Sequence, residues 1–128
     1  MAVIQQGRAS KRLFHVEDSA CMRERVRELA QLSGIKVVGF SDCADDAIRQ
    51  IRLIKPDLVV LDLQLAEGSG VDILREFASG AVPSMCIVLT NHSDFRFREL
   101  SRKAGARWFF DKSTELEEFG EFLKKILP

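Results

Sequence analysis

Five times along this chain a short apolar or β-branched run gives way to a segment with helical spacing, and each exchange takes only a few residues. Residues 13–16, 35–40, 58–61, 85–89 and 107–110 read as strands. Apolar or small residues then recur at three- and four-residue intervals, as in Met22, Val26, Leu29, Ala30 and Ser33, or Ala44, Ala47, Ile48 and Ile51. Val71, Leu74 and Phe77 continue the pattern, followed by Phe97, Leu100 and Ala104 in a helix over about 94–104, and by Leu116, Phe119, Leu123 and Ile126. Such spacing puts one apolar stripe on each helix. Gly34 and Gly105 close two of these helices and Lys55-Pro56 breaks another. Residues 58–61 and 85–89 are apolar throughout, which suits central strands covered on both faces.

Strands alternating with helices imply a parallel sheet flanked by helices on both sides. Right-handed crossovers then narrow the topology to a doubly wound α/β fold, and five units fit the flavodoxin-like (βα)5 arrangement with strand order 2-1-3-4-5. At 128 residues the chain fits one domain, here expected over 12–128 after a polar tail of residues 1–11. Met1–Ile4 is too short an apolar stretch for a signal peptide, and no run approaches the roughly 20 apolar residues of a membrane helix. Nineteen basic residues balance nineteen acidic ones, so overall charge gives no reason to expect nucleic acid. Cys21, Cys43 and Cys86 form no CxxC pair and read as reduced cytosolic thiols, which points to the cytoplasm.

Ligands of such sheets bind beyond the carboxyl ends of the strands. Those ends carry Glu17 and Asp18, Asp62, Thr90 and Lys112: three acids, a hydroxyl and an ammonium from four strands. Carboxylates about 4 Å apart repel by roughly 4 kcal/mol near a protein surface, unless a cation lies among them. Magnesium suits such a cluster, because it takes a few protein oxygens and keeps waters or phosphate oxygens. Neither GxxxxGK[ST] nor GxGxxG is present, so a phosphate here has to be held by metal, Lys112, Thr90 and loop amides, with one carboxylate as nucleophile.

The segments His15-Val16-Glu17-Asp18, Leu61-Asp62-Leu63-Gln64-Leu65 with Gly70, Leu89-Thr90-Asn91 and Phe110-Asp111-Lys112 resemble the receiver domain of bacterial two-component response regulators, over about residues 12–127. The resemblance implies that Asp62 is the phosphoacceptor, charged by a sensor histidine kinase, a histidine phosphotransfer protein or a small phosphodonor. It implies Mg2+ held by Asp18, Asp62 and the backbone carbonyl of Gln64, with Glu17 acting through water. Lys112 would pair with the phosphoryl oxygens, Thr90 would turn its hydroxyl toward them, and Phe109 would move inward with it. Three positions depart from the family pattern: Glu17 stands where Asp is more usual, and Ala66 and Ser113 stand where proline is common.

On the same resemblance, Gln64 and His92 either tune water access to phospho-Asp62 or are ordinary loop residues. Phe95, Phe109 and Phe122 form either an apolar partner face or part of a wider core stripe. His15 and Cys86 are expected in the core, Cys21 at the start of a helix, and Trp108 close enough to Lys112 to report on it. The expected protein is therefore a switch and not a metabolic enzyme. Its chain ends at Pro128, so output is expected through a downstream protein partner or onward phosphoryl relay. The alternative is a phosphorylation-independent, receiver-like interaction module. A flavin- or nucleotide-binding flavodoxin-like protein is a third reading, which the missing phosphate loop disfavours.

Overall fold

The computed structural model describes residues 11–78, 84–91 and 94–126. Five strands, β1 (Arg12–Val16), β2 (Lys36–Ser41), β3 (Leu58–Leu61), β4 (Met85–Thr90) and β5 (Trp108–Asp111), form one parallel sheet in the order β2-β1-β3-β4-β5. Each strand is followed by a helix: α1 (Ala20–Leu32), α2 (Ala44–Ile54), α3 (Gly70–Ala78), α4 (Phe95–Lys103) and α5 (Leu116–Lys125). This is the doubly wound architecture that the strand–helix rhythm predicts.

Two apolar cores lie on the two faces of the sheet. Phe14, Val16, Val59, Leu61 and Val88 face Ala47 and Ile51 of α2 and Val71, Leu74 and Phe77 of α3. Leu13, Val60, Ile87 and Leu89 face Val26 and Ala30 of α1 and Phe119 and Leu123 of α5. The period-two alternation of strand side chains sends successive residues of one strand into different cores. All four residues of β3 are buried, as their continuous apolarity requires.

Local signals set the helix ends. Ser19 accepts from the N–H of Met22 at the start of α1, and Asp94 accepts from Phe97 N–H at the start of α4. At the end of α2, Lys55 takes the left-handed conformation (φ 52°) just before Pro56. One helix face differs from the sequence expectation. Leu100 is 39% exposed, whereas Ser101 is buried and faces inward with Phe97 and Ala104. Positions 100 and 101 both fall within helical reach of 97 and 104, so apolarity alone favoured the wrong one.

His15 is buried in β1, and its pKa is lowered to about 3, chiefly by burial and then by the nearby charges of Lys112 and Arg23. The folded protein therefore holds His15 neutral, while the unfolded chain protonates it near its ordinary value of 6.5. The stability this contributes is complete above that value and is lost as pH falls from 6.5 toward about 3. Glu17, raised by burial, acts with the opposite sign, so the comparison has to be made against a variant that keeps it. In urea unfolding, wild type should lose about 1.4 kcal/mol relative to His15→Leu between about pH 7.5 and about pH 5.5. Parallel pH profiles for the two proteins would contradict a neutral, buried His15.

Candidate functional site

The sheet register lines up the strand ends that carry the acids, the hydroxyl and the ammonium. Val16 pairs with Leu61, and Leu61 with Val88, so Glu17 and Asp62 emerge side by side one residue further on. Thr90 pairs with Asp111, and the N–H of Lys112 donates to Thr90 O at 2.9 Å. Parallel strands give all these ends the same direction, which is why residues 17, 62, 90 and 112 meet on one edge.

Asp62 is 6% exposed and each of its carboxylate oxygens is engaged. The Thr90 hydroxyl donates to Oδ1 at 2.5 Å, and the N–H of Gln64 donates to the same oxygen at 3.3 Å. Lys112 Nζ donates to Oδ2 at 2.8 Å. The same ammonium forms an ion pair with Oε1 of buried Glu17 at 2.6 Å. Apart from this ammonium, Oε1 has no polar partner among the described residues. Glu17 Oε2 accepts from Ser19 N–H at 3.2 Å, and Arg23 Nη1 donates to the Glu17 carbonyl at 2.9 Å.

Burial pushes the Glu17 carboxyl above its ordinary pKa, against the opposing pull of Lys112. For Lys112 burial disfavours the ammonium, yet its hydrogen bond to Asp62 and its ion pair with Glu17 outweigh that and hold the pKa above its usual value. Lys112 is therefore a firmly charged cation at neutral pH.

Glu17, Asp18 and Asp62 each offer a carboxylate oxygen, and these oxygens lie within 4.8 Å of one another. One ammonium faces three carboxylates, and the buried Glu17 Oε1 has only that shared ammonium beside it. Both observations fit a hard cation bound by oxygen. Asp18 is exposed, so the cluster opens to solvent on its side.

The loop after β3 is held by backbone contacts that depend on Gly70. Gly70 N–H donates to Leu63 O at 3.0 Å, and Ser69 Oγ donates to the same carbonyl at 3.3 Å. A Cβ on Gly70 would lie 2.1 Å from the carbonyl oxygen of Asp62. Only glycine allows the start of α3 to come this close to Asp62. After β5, Asp111 Oδ1 accepts from the N–H groups of Ser113 and Thr114 and from the Ser113 hydroxyl. This carboxylate builds the turn that contains Ser113.

The structure thus brings Glu17, Asp18, Asp62, Thr90 and Lys112 together, with Gln64 beside them and its side chain exposed. His92 lies outside the described residues. The three phenylalanines separate. Phe95 is 77% exposed and shares a depression of about 330 Å³ with Phe109, whereas Phe122 stacks on Trp108 and Phe110 at 5.5 Å. Alternation along β5 sends residue 109 to one face and residues 108 and 110 to the other. Trp108 lies four residues before Lys112, roughly 13 Å along an extended strand, and is a distant reporter of the site. Cys21 is exposed and Cys86 buried, its thiol pushed up to about 12 by burial.

A fold and an acidic, lysine-closed edge of this kind define a phosphoryl-accepting signalling domain, and comparison with known proteins agrees. Residues 13–124 match the response regulator receiver domain, and the chain belongs to that family. It is 28% identical over 112 residues to the response regulator GacA of Pseudomonas aeruginosa, covering 87% of this chain and 52% of GacA. It is 30% identical over 108 residues to the transcriptional regulatory protein PdtaR of Mycobacterium tuberculosis, covering 84% and 52% of the two chains. The chain spans about half the length of these curated relatives. Among solved structures, a LuxR-family two-component response regulator from Aurantimonas sp. superposes with a TM-score of 0.83 at 28% identity, covering 92% of this chain and 85% of that one. The receiver domain of NarL from Mycobacterium tuberculosis gives 0.81 at 22% identity, covering 92% and 93%.

Gly70→Ala provides a test of the loop geometry. Relief of glycine's backbone freedom at a helix start would by itself stabilise by about 0.5–1 kcal/mol. The close approach to the Asp62 carbonyl should reverse the sign and give a net loss of about 1–3 kcal/mol in urea unfolding. A stabilised Gly70→Ala protein would mean that the loop relaxes freely.

Proposed function

We propose that this receiver domain takes a phosphoryl group onto Asp62 in a magnesium-dependent reaction and uses it to change its contacts with other proteins. The observation that carries this reading is the state of Asp62: a buried carboxylate held between the Thr90 hydroxyl and the Lys112 ammonium, beside Glu17 and Asp18. The donor is a phosphohistidine on a sensor kinase or phosphotransfer protein, or a small phosphodonor.

In the transfer, an Asp62 oxygen attacks phosphorus and forms a P–O bond while the P–N bond of the phosphohistidine breaks, and the departing imidazole keeps the electron pair and takes a proton. Asp18, Asp62 and the Gln64 carbonyl would hold magnesium, with Glu17 acting through water, and the ion would neutralise the phosphoryl charge. Lys112 stays charged throughout and moves its hydrogen bond from Asp62 Oδ2 to a phosphoryl oxygen. Thr90 does the same with its hydroxyl. Both donors already point at the reacting carboxylate, so little reorganisation is needed.

Gln64, exposed two residues beyond Asp62, and His92, two beyond Thr90, are proposed to set how readily water reaches the acyl phosphate. Loss of the phosphoryl group by that route makes the domain a self-resetting switch and not an enzyme acting on other molecules. Phe95 and Phe109, at the depression beside α4, are the proposed contact point for a downstream protein.

A second reading, constitutive binding without phosphorylation, draws on one observation. The Thr90 hydroxyl already faces Asp62, and Phe109 already packs against a core, in the unmodified protein. Equal partner binding by wild type and Asp62→Asn would favour it.

Intact mass after incubation with a small phosphodonor tests the main reading. Wild type should gain one phosphoryl group in the presence of magnesium. The gain should vanish in Asp62→Asn and on chelation of the metal. An unmodified wild-type mass with magnesium and donor both present, and with beryllofluoride also leaving no adduct, removes Asp62 as phosphoacceptor.

A further inference from the structure

Phe109 and Lys112 are three residues apart in the chain. A connection runs through Glu115. This residue caps the start of α5, yet its side chain makes no hydrogen bond to the helix it begins. Instead Oε1 accepts from the N–H of Asp111 at 2.9 Å and from Arg98 Nη2 at 3.1 Å. Asp111 directly precedes Lys112. The Arg98 guanidinium in turn lies over the ring of Phe109, 4.5 Å from its centroid. One carboxylate oxygen thus ties α4, β5 and the first turn of α5 to one another.

We infer that Glu115 is a positioning residue, coupling Phe109, through Arg98, to the turn that carries Lys112. The physical case rests on how the two contacts differ. A guanidinium is attracted to an aromatic face and is aimed by an anion behind it. Glu115 is that anion, and its charge is what the Arg98 contact requires. The Asp111 N–H requires only an acceptor oxygen. The pair is partly exposed, with side-chain accessibilities of 43% and 34%, so it adds little to stability and its effect is on position. The turn itself survives without it, because Asp111 Oδ1 holds Ser113 and Thr114, and Asp111 O accepts from Glu115 N–H at 2.8 Å.

Two substitutions separate the two contacts. Glu115→Gln keeps an oxygen for the Asp111 N–H and removes the charge that holds Arg98. Glu115→Ala removes both. In NMR spectra of the resting protein, Glu115→Gln should shift the Phe109 ring signals and leave the Lys112 backbone amide in place. Glu115→Ala should move both, and Arg98→Ala should move Phe109 alone. The last consequence rests on the phosphoacceptor reading: with magnesium and beryllofluoride, adduct formation should weaken about three- to ten-fold in Glu115→Ala and less in Glu115→Gln. Unchanged Phe109 signals in the Glu115 variants, or a Lys112 amide that moves equally in both, would overturn the coupling. Should the resting shifts appear as expected while wild type forms no adduct, the coupling stands and the phosphoacceptor reading fails.

Discussion

A single ammonium makes this site possible. Glu17 and Asp62 leave adjacent strands side by side and are both buried, with Asp18 alongside. Two carboxylates about 4 Å apart repel by roughly 4 kcal/mol at an effective dielectric of 20, and their burial adds a desolvation cost. Lys112 reaches both of them, at 2.6 and 2.8 Å. It starts from β5, two strands away from β3, or roughly 10 Å across the sheet. Only a long, flexible side chain spans that gap, and it passes over β4 because β4 ends on the short side chain of Thr90. The same placement lets the Thr90 hydroxyl meet the other Asp62 oxygen. The identities at positions 62, 90 and 112 are thus linked by strand order and side-chain length.

That linkage explains why the site was legible in the sequence. In a parallel sheet the strand ends share one edge, so residues 17, 18, 62, 90 and 112 could be collected from the apolar runs that precede them. The runs 58–61 and 85–89 were unambiguous because a strand covered on both faces reads as a continuous apolar run. What stayed hidden depends on direction and not on composition. Glu17 and Asp18 are consecutive acids, yet one is buried against Lys112 and the other faces solvent. Phe109 and Phe122 looked alike as apolar residues near one edge, until the alternation of β5 and the packing of Trp108 and Phe110 separated them. Leu100 and Ser101 exchanged roles because a helix admits either to the stripe, and the small side chain was the one turned inward. Glu115 left no sequence signal. It stands at a helix start, where an acid is expected for reasons of dipole and capping, and its contacts to Arg98 and Asp111 depend on tertiary placement.

The resting geometry bears on how a phosphoryl group could act as a signal. Replacing the Asp62 carboxylate by an acyl phosphate exchanges about one negative charge for about 1.5 to 2. Lys112 and Thr90 are already aimed at that position, so the added charge has few donors left to recruit. Of the elements next to that position, α4 is the one with exposed apolar side chains and a polar tie to β5. β4 is locked between β3 and β5, whereas α4 carries exposed Phe95 and Leu100 and is joined to β5 through the stack of Arg98 on Phe109. A surface ion pair such as Arg98 with Glu115 contributes about 0–1 kcal/mol. A complete shift between two conformations from 1:99 to 99:1 requires about 5.5 kcal/mol. A tie of that size cannot hold the domain in one state, but it can set the balance between two states of nearly equal energy. On the proposed function, weak polar ties at α4 combined with a strongly bound Lys112 would leave the chemistry rigid and the readout adjustable.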